Sequence, residues 1–457
     1  MKASITRRKF IQSLTATGVG LASAQLLAAC AAPAPTAAPD AAAAVSAPAA
    51  SDVKLRMQVP PDGQGKMPAK MAQRYQDETG VMVTIEETIY SEIETKSQTG
   101  FISNTLQDVL YGHHRWLFIN YVKGIYLQLD DLMAADPLPG AADMYASLMK
   151  NNSWDGKNFS VPGVVHPGGN IMVAFNKTML EKKGLPLPKQ GWTMADWEAL
   201  ARGAAEPGSG VFGMNMSSMN ALHYYSNTAR SFADPASKDG DVFNADGTKI
   251  VFNTALHAEV GNWYSKLLED KIAPRKADYV EADNAESGFV AGINATQATI
   301  VGGIASFLSK IEGKFEMDAV PLPVGAKGRQ GTCYSGNMHM VGSKTAHPEE
   351  AYGLLKLLSS AEAGVSMVLD GKLQPNGHYG AWTDPKVLAV SKMYGVAAEL
   401  LKAGVEPFPM PRNTRFSEAN KKFQNEIDLV WEGDAKWADQ APIIEAKVQE
   451  VLDMAAP

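Results

Sequence analysis

The sequence predicts an α/β protein built from two lobes, and three observations predict it. Val53-Lys54-Leu55-Arg56-Met57-Gln58-Val59 alternates apolar and polar residues as a strand does, Met67, Met71 and Tyr75 then mark one helical face, and Val81, Val83 and Ile85 alternate again. Strand, helix and strand joined by short connections form a βαβ unit, and so a parallel sheet. A second strand-to-helix succession begins past residue 170. The stretch from Val53 to Pro457 is about 400 residues, more than one hydrophobic core serves.

The N-terminus reads as an export and tether segment, over residues 1–29. Thr6-Arg7-Arg8-Lys9-Phe10 is basic, and no acidic residue precedes Asp40. A mildly apolar stretch follows, diluted by Thr15, Thr17, Gly18, Gly20 and Gln25, with small residues at its end. That is the layout of a secretory signal. The pair Arg7 and Arg8 followed by Phe10 resembles a twin-arginine export signal, which is an address and not an anchor. Leu27-Ala28-Ala29-Cys30 resembles a bacterial lipobox, in which Cys30 receives a diacylglyceryl group. Two acyl chains satisfy the requirement for stable anchoring, each buried methylene contributing about 0.8 kcal/mol. The expected location is the extracytoplasmic face of a cell membrane.

Residues 30–52 are almost entirely Ala, Pro, Ser and Thr, too poor in apolar side chains to offset the entropy of ordering. They read as a disordered linker. Prolines 33, 35, 39 and 48 favour extension, so the linker could span up to about 70 Å.

Loss of residues 1–29 would remove Lys2, Arg7, Arg8 and Lys9 and take the net charge from −7 to −11. No basic patch survives, which argues against nucleic acid as a partner. No later segment has the 18 or so apolar residues that span a bilayer. The chain has two cysteines. With Cys30 lipidated, Cys333 can form no intramolecular disulfide and reads as a small core residue rather than a catalytic thiol.

Past the first βαβ unit, Gly80 stands where a helix stops in the left-handed conformation. Asp108-Val109-Leu110-Tyr111 reads as a strand that opens into Gly112-His113-His114-Arg115-Trp116. Ile171 to Phe175 is a strand, with Asn176 capping a short helix that ends at Gly184. Thr193 and Asp196 form a capping-box pattern before Trp197, Leu200, Ala201 and Ala204 on one helical face. Val211-Phe212-Gly213 reads as a strand, and the region from Asp384 to Ala456 as mainly helical.

Several motifs fail on inspection. Gly208-Ser209-Gly210-Val211-Phe212-Gly213 has the letters of a dinucleotide fingerprint, but a helix precedes it and a strand follows, the reverse of what the phosphate site needs. His113-His114 lacks a second ligand pair at metal spacing. In Met338-His339-Met340 the two methionines share one face of a strand, so packing is the expected role rather than copper. Glu86-Glu87 and Asp130-Asp131 invite a glycosidase reading, but neighbours on a strand face opposite ways and Asp130-Asp131 looks like a helix cap. No metal and no cofactor is expected.

Several segments together resemble the family 1 extracellular solute-binding proteins, the sugar-binding components of bacterial ABC importers related to maltose-binding protein. They are, in order, Tyr75 to Val83, Asp108 to Gly112, Gly124 to Leu132, Phe175-Asn176-Lys177 through Leu185, Gly191 to Trp197, Val320-Pro321-Leu322-Pro323 and His347-Pro348-Glu349-Glu350-Ala351-Tyr352. The resemblance implies the two-lobed periplasmic-binding fold of type II, with hinge-linked lobes. It implies a first lobe of residues 53–164 plus 338–383 and a second of 165–333 plus 384–457. Hinge segments are then expected near 164–168, 334–337 and 382–384. It further implies a non-enzymatic monomer that captures a sugar by closure and delivers it to the membrane subunits of an ABC permease.

Strand ends independently predict where a ligand sits, since open α/β sheets bind beyond the carboxyl ends of their strands. That selects Asp62 after the first strand, and Tyr111, His113, His114 and Trp116. These rings offer flat apolar faces with polar edges, as a sugar requires. From the facing lobe come Asn215 and Ser217. From the crossovers come His166, Tyr334 and Asn337, with Gly336 a hinge filler. Arg412 reads equally as lining the mouth or as a solvated charge. Two other functions stay open at this stage: a lipid-tethered polysaccharide-active enzyme, and a binding protein for a non-sugar solute such as a polyamine or polyol phosphate.

Overall fold

The computed structural model describes residues 51–144, 148–149, 152–166, 171–216, 218–237, 239–278, 285–331, 335–402 and 413–455. Its strands are β1 Lys54–Val59, β2 Met82–Glu87, β3 Val109–His113, β4 Ser153–Trp154, β5 Lys157–Asn158, β6 Val161–His166, β7 Met172–Asn176, β8 Asn215–Met216, β9 Thr296–Thr299, β10 Met317–Pro321 and β11 Ser335–Val341. Two larger sheets form, ordered β2-β1-β3-β11-β6 and β10-β7-β9-β8, with β4-β5 as a small separate ribbon. This is the mixed α/β architecture of a two-lobed binding fold, one sheet to each lobe.

In the first sheet β1 runs parallel to β2 and β3, while β11 runs antiparallel to β3 and β6. The alternation of β1 turns Leu55, Met57 and Val59 onto Met67, Met71 and Ala72 of the helix Gly63–Thr79. Each such burial contributes about 1.5–3 kcal/mol. That helix starts where the Asp62 carboxylate accepts from the Gln64 backbone N–H and stops at Gly80, whose φ of 75° a side chain would resist. Its start presses on the end of β1: a Cβ at Gly65 would lie 1.9 Å from the Pro60 carbonyl oxygen. The first helix is thereby aimed at the carboxyl ends of β1 and β3.

In the second sheet β7 is buried on both faces and pairs antiparallel with β10 and β9. Asn176 caps the next helix by accepting from the Met179 N–H, and the Thr193–Asp196 capping box forms in full. Trp197, Leu200, Ala201 and Ala204 all face the core there, as their spacing predicts. The helices Phe416–Glu432 and Trp437–Leu452 turn back on one another at Gly433 and complete this lobe's core around Tyr225, Phe252, Phe423 and Trp437. Arg230 and Asp241 form an ion pair within it, their side chains only 1% and 4% exposed. None of the helices among the described residues is long and apolar enough to cross a membrane.

Two local expectations are corrected. Val211 and Phe212 make only isolated bridges, and the strand proper is β8, which contains Asn215 instead of preceding it. The cause is register: Asn215 and Met216 align with Gln297 and Ala298 of β9. Asp130 lies in the first turn of the helix Asp130–Ala135, but its carboxylate does not cap that helix. It accepts instead from the Asn158 backbone and side chain, fastening β5. Met338 and Met340 do share a core cluster, and His339 points away from it.

Candidate functional site

In the interior of the first sheet the carboxyl end of β3 meets the start of β11, with His113 opposite Asn337 and Tyr111 opposite His339. The first helix brings Gln64 to the same place. The Gln64 side-chain carbonyl accepts from the Tyr111 hydroxyl at 2.6 Å and from the Asn337 amide at 2.5 Å. Tyr111 is fully buried, and burial pushes its phenol well above the usual range, so it is a neutral donor at any physiological pH. The other amide atom of Asn337, its Oδ1, is buried with no hydrogen-bond partner.

Beyond β3 the aromatic loop rises toward the second lobe. The rings of His113 and His114 lie 3.8 Å apart, and those of His113 and Trp116 5.3 Å apart. Tyr90 stands edge-on to both His113 and Trp116, at 5.8 and 5.6 Å. The indole N–H of Trp116 is buried and meets no acceptor. Burial raises the Tyr90 phenol as well, with Tyr224 and Asp62 adding to the rise and the Arg115 guanidinium opposing it.

Across the gap, the second lobe supplies the helix Leu222–Phe232 and the first turn of Phe416–Glu432. His114 packs against His223 at 5.0 Å and Phe416 at 6.0 Å. His223 is itself 4.4 Å from the Tyr224 ring. Next to this contact the Ser417 hydroxyl donates to the Glu94 carboxylate at 3.2 Å. Glu94 is raised above the usual carboxylate range, chiefly by burial, although the Ser417 hydrogen bond lowers it. Rings from both lobes therefore meet at this point.

Of the residues expected from the sequence, Tyr111, His113, His114, Trp116 and Asn337 come together here. Asp62 lies at the edge and is exposed, and Gln64 donates to both of its carboxylate oxygens at the start of the helix. Asn215 sits in β8 of the second lobe, buried. The β6 backbone at His166 pairs with Ser335, and the His166 side chain is outside the described residues. Ser217, Cys333, Tyr334, Arg412, Arg7, Arg8 and Cys30 also lie outside them.

Sequence reasoning missed Gln64, Tyr90, Glu94, His223, Tyr224, Phe416 and Ser417. Gln64 was within reach of the strand-end rule, being two residues past Asp62. Among the described residues no group of three His, Cys, Asp or Glu side chains could hold a metal ion. Of the four carboxylates weighed for glycoside cleavage, two are engaged elsewhere, Glu86 by Arg56 and Gln107, and Asp130 by Asn158.

Residues 60–365 match the family model described as bacterial extracellular solute-binding protein. No curated protein matches the sequence. Among solved structures, the ABC substrate-binding protein from Listeria monocytogenes in complex with cycloalternan has a TM-score of 0.75 at 17% identity, covering 89% of this chain and 100% of that one. A solute-binding protein from Agrobacterium radiobacter K84 in complex with ribitol has a TM-score of 0.73 at 18% identity, over 88% and 99%. The GacH receptor of Streptomyces glaucescens, solved unliganded and with acarbose, has 0.73 at 17%, over 88% and 99%. At these identities the likeness establishes the fold.

Proposed function

The chain belongs to the bacterial extracellular solute-binding proteins, and from that premise we propose that it captures a carbohydrate outside the cytoplasm and delivers it to an ABC-type importer. The observation that carries this reading is the ring cluster Tyr90, His113, Trp116, His114, His223 and Phe416, assembled from both lobes. A sugar offers C–H faces to such rings and hydroxyls to the waiting Asn337 Oδ1 and Trp116 N–H. The relatives solved with cycloalternan, ribitol and acarbose support the same ligand class.

Capture works by population shift. A ligand that touches both lobes at once favours the closed arrangement over the open one by the difference in its contacts, and the importer then recognises the closed form. The lobes divide at residues 53–164 plus 338–383 and 165–333 plus 384–457 in this reading, and Asn215, Ser217, His166, Tyr334 and Arg412 complete the lining. Glu94 and Ser417 act as a contact made on closing. The protein works as a monomer and turns over no substrate.

Cys30 carries the lipid, after export directed by Arg7 and Arg8, and the Ala/Pro linker lets the lobes reach the permease. The tether raises the effective concentration of the binding domain at the importer. A thermal-shift screen against mono- and oligosaccharides tests the ligand class, because a ligand of the native state must stabilise it. A shift with polyamines or phosphate esters and none with sugars would replace the class.

A further inference from the structure

We infer that the carbohydrate bound in this cleft carries a carboxylate, and that Arg115 is the specificity-determining residue that reads it. The inference rests on the carbohydrate reading above and narrows it. Arg115 lies in the middle of the aromatic loop, between His114, which touches the second lobe, and Trp116. Every other described arginine has an acceptor for its side chain. Arg56, Arg74, Arg202, Arg230 and Arg415 grip carboxylates, and Arg275 and Arg329 grip backbone carbonyls. The Arg115 side chain grips none among the described residues, and its Nε is buried without a partner.

Arg115 is only partly buried, with its Nε enclosed, and a guanidinium presents five N–H donors in a planar fork and no acceptor. Such a group in a binding cleft stands ready for an anion. The neighbouring Trp116 N–H is a second buried donor without an acceptor. His113, His114 and His223 bring no negative charge to the site. Asp62 acts on Tyr90 from the same neighbourhood, yet both of its oxygens are held by Gln64 at the helix start. A sugar hydroxyl would satisfy one donor. A carboxylate presents two in-plane acceptors that match the guanidinium fork. One fixed cation suits the single charge of a uronate better than the double charge of a phosphate ester.

Isothermal titration of the full chain in detergent micelles, with glucose against glucuronate, galactose against galacturonate, and glucose 6-phosphate, tests this. The expected result is that a uronate binds about tenfold or more tightly than its neutral partner, a difference of about 1.4 kcal/mol or more. Arg115→Gln should bring that ratio to within about threefold of unity, while Arg115→Lys, which keeps the charge and loses the fork, retains part of it. Melting curves of both variants without ligand identify any loss of fold, and the ratio within one variant is insensitive to it. Equal or tighter binding of the neutral sugar, or a preference that survives Arg115→Gln, overturns the assignment. Binding of the phosphate ester but not the uronates overturns the carboxylate. Binding of none of these and of no other sugar overturns the carbohydrate reading itself, a result distinct from the others.

Discussion

The hydroxyl of Ser417, in the second lobe, donates a hydrogen bond to the carboxylate of Glu94, in the first, at 3.2 Å. The two residues are 323 positions apart in the chain. Beside them Phe416 meets His114, so a polar and an aromatic contact close the same edge of the cleft.

Ser417→Ala should weaken closure. Removing the donor leaves Glu94 with its burial and without its partner, a loss of about 1–3 kcal/mol. If closure and binding are linked, affinity for the cognate sugar falls about tenfold or more in an isothermal titration. An unchanged affinity would show that the lobes close without this contact. Glu94→Gln, which still accepts from Ser417, should cost less.

Trp116→Ala removes a ring packed on Tyr90 and His113 together with the waiting indole N–H. A central aromatic of this kind contributes about 2 kcal/mol or more, some 30-fold in affinity. Trp116 is only 6% exposed, so the alanine variant also loses fold stability. Trp116→Phe separates the two effects: it keeps a ring, loses the N–H, and should lower affinity with little change in melting temperature. Wild-type affinity in Trp116→Ala would place the stacking platform elsewhere.

How far the sequence foretold this site depends on the range of the interaction. The βαβ unit, the Gly80 stop, the Thr193–Asp196 box and the split faces of Met338 and His339 rest on local periodicity, and the structure contains them all. Tyr111, His113, His114 and Trp116 were legible because strand ends and ring types coincide within six residues. Phe416, Ser417 and His223 were not. Each lies on an amphipathic helix whose pattern describes only its packing against its own lobe, and nothing local encodes which ring it meets across the cleft. The misplaced strand at Val211–Gly213 has a related cause, since the register of β8 is set by β9, some 80 residues on.

Acid should destabilise the protein through two buried imidazoles. Burial holds both His339 and His257 down to about 4, from an ordinary value of 6.5. A depressed histidine pKa means that the unfolded chain binds the proton first. The stability is therefore full above pH 6.5 and declines as pH falls from 6.5 toward 4. Each residue contributes at most about 3 kcal/mol to that decline. Melting temperatures across this range should slope steeply in the wild type and less so in His339→Leu. An equal slope in the variant would mean that His339 is not the titrating group.

If Cys30 carries the proposed lipid, Cys30→Ser should move the protein from the membrane fraction to the soluble extracytoplasmic fraction while leaving sugar binding intact, because a lipid there would act on location and not on the cleft. Arg7→Lys with Arg8→Lys should retain the precursor in the cytoplasm. Immunoblots of fractionated cells read both outcomes, and an unaltered distribution of the Cys30 variant would remove the tether from the account.

The central claim is that the two lobes bind a carbohydrate reversibly and do not transform it. Isothermal titration with mono- and oligosaccharides, neutral and acidic, tests it most directly. The account predicts discrete heats that saturate at one ligand per chain, with the signal returning to baseline after each injection. No heat with any sugar, or a heat signal that persists as substrate is consumed, would contradict it.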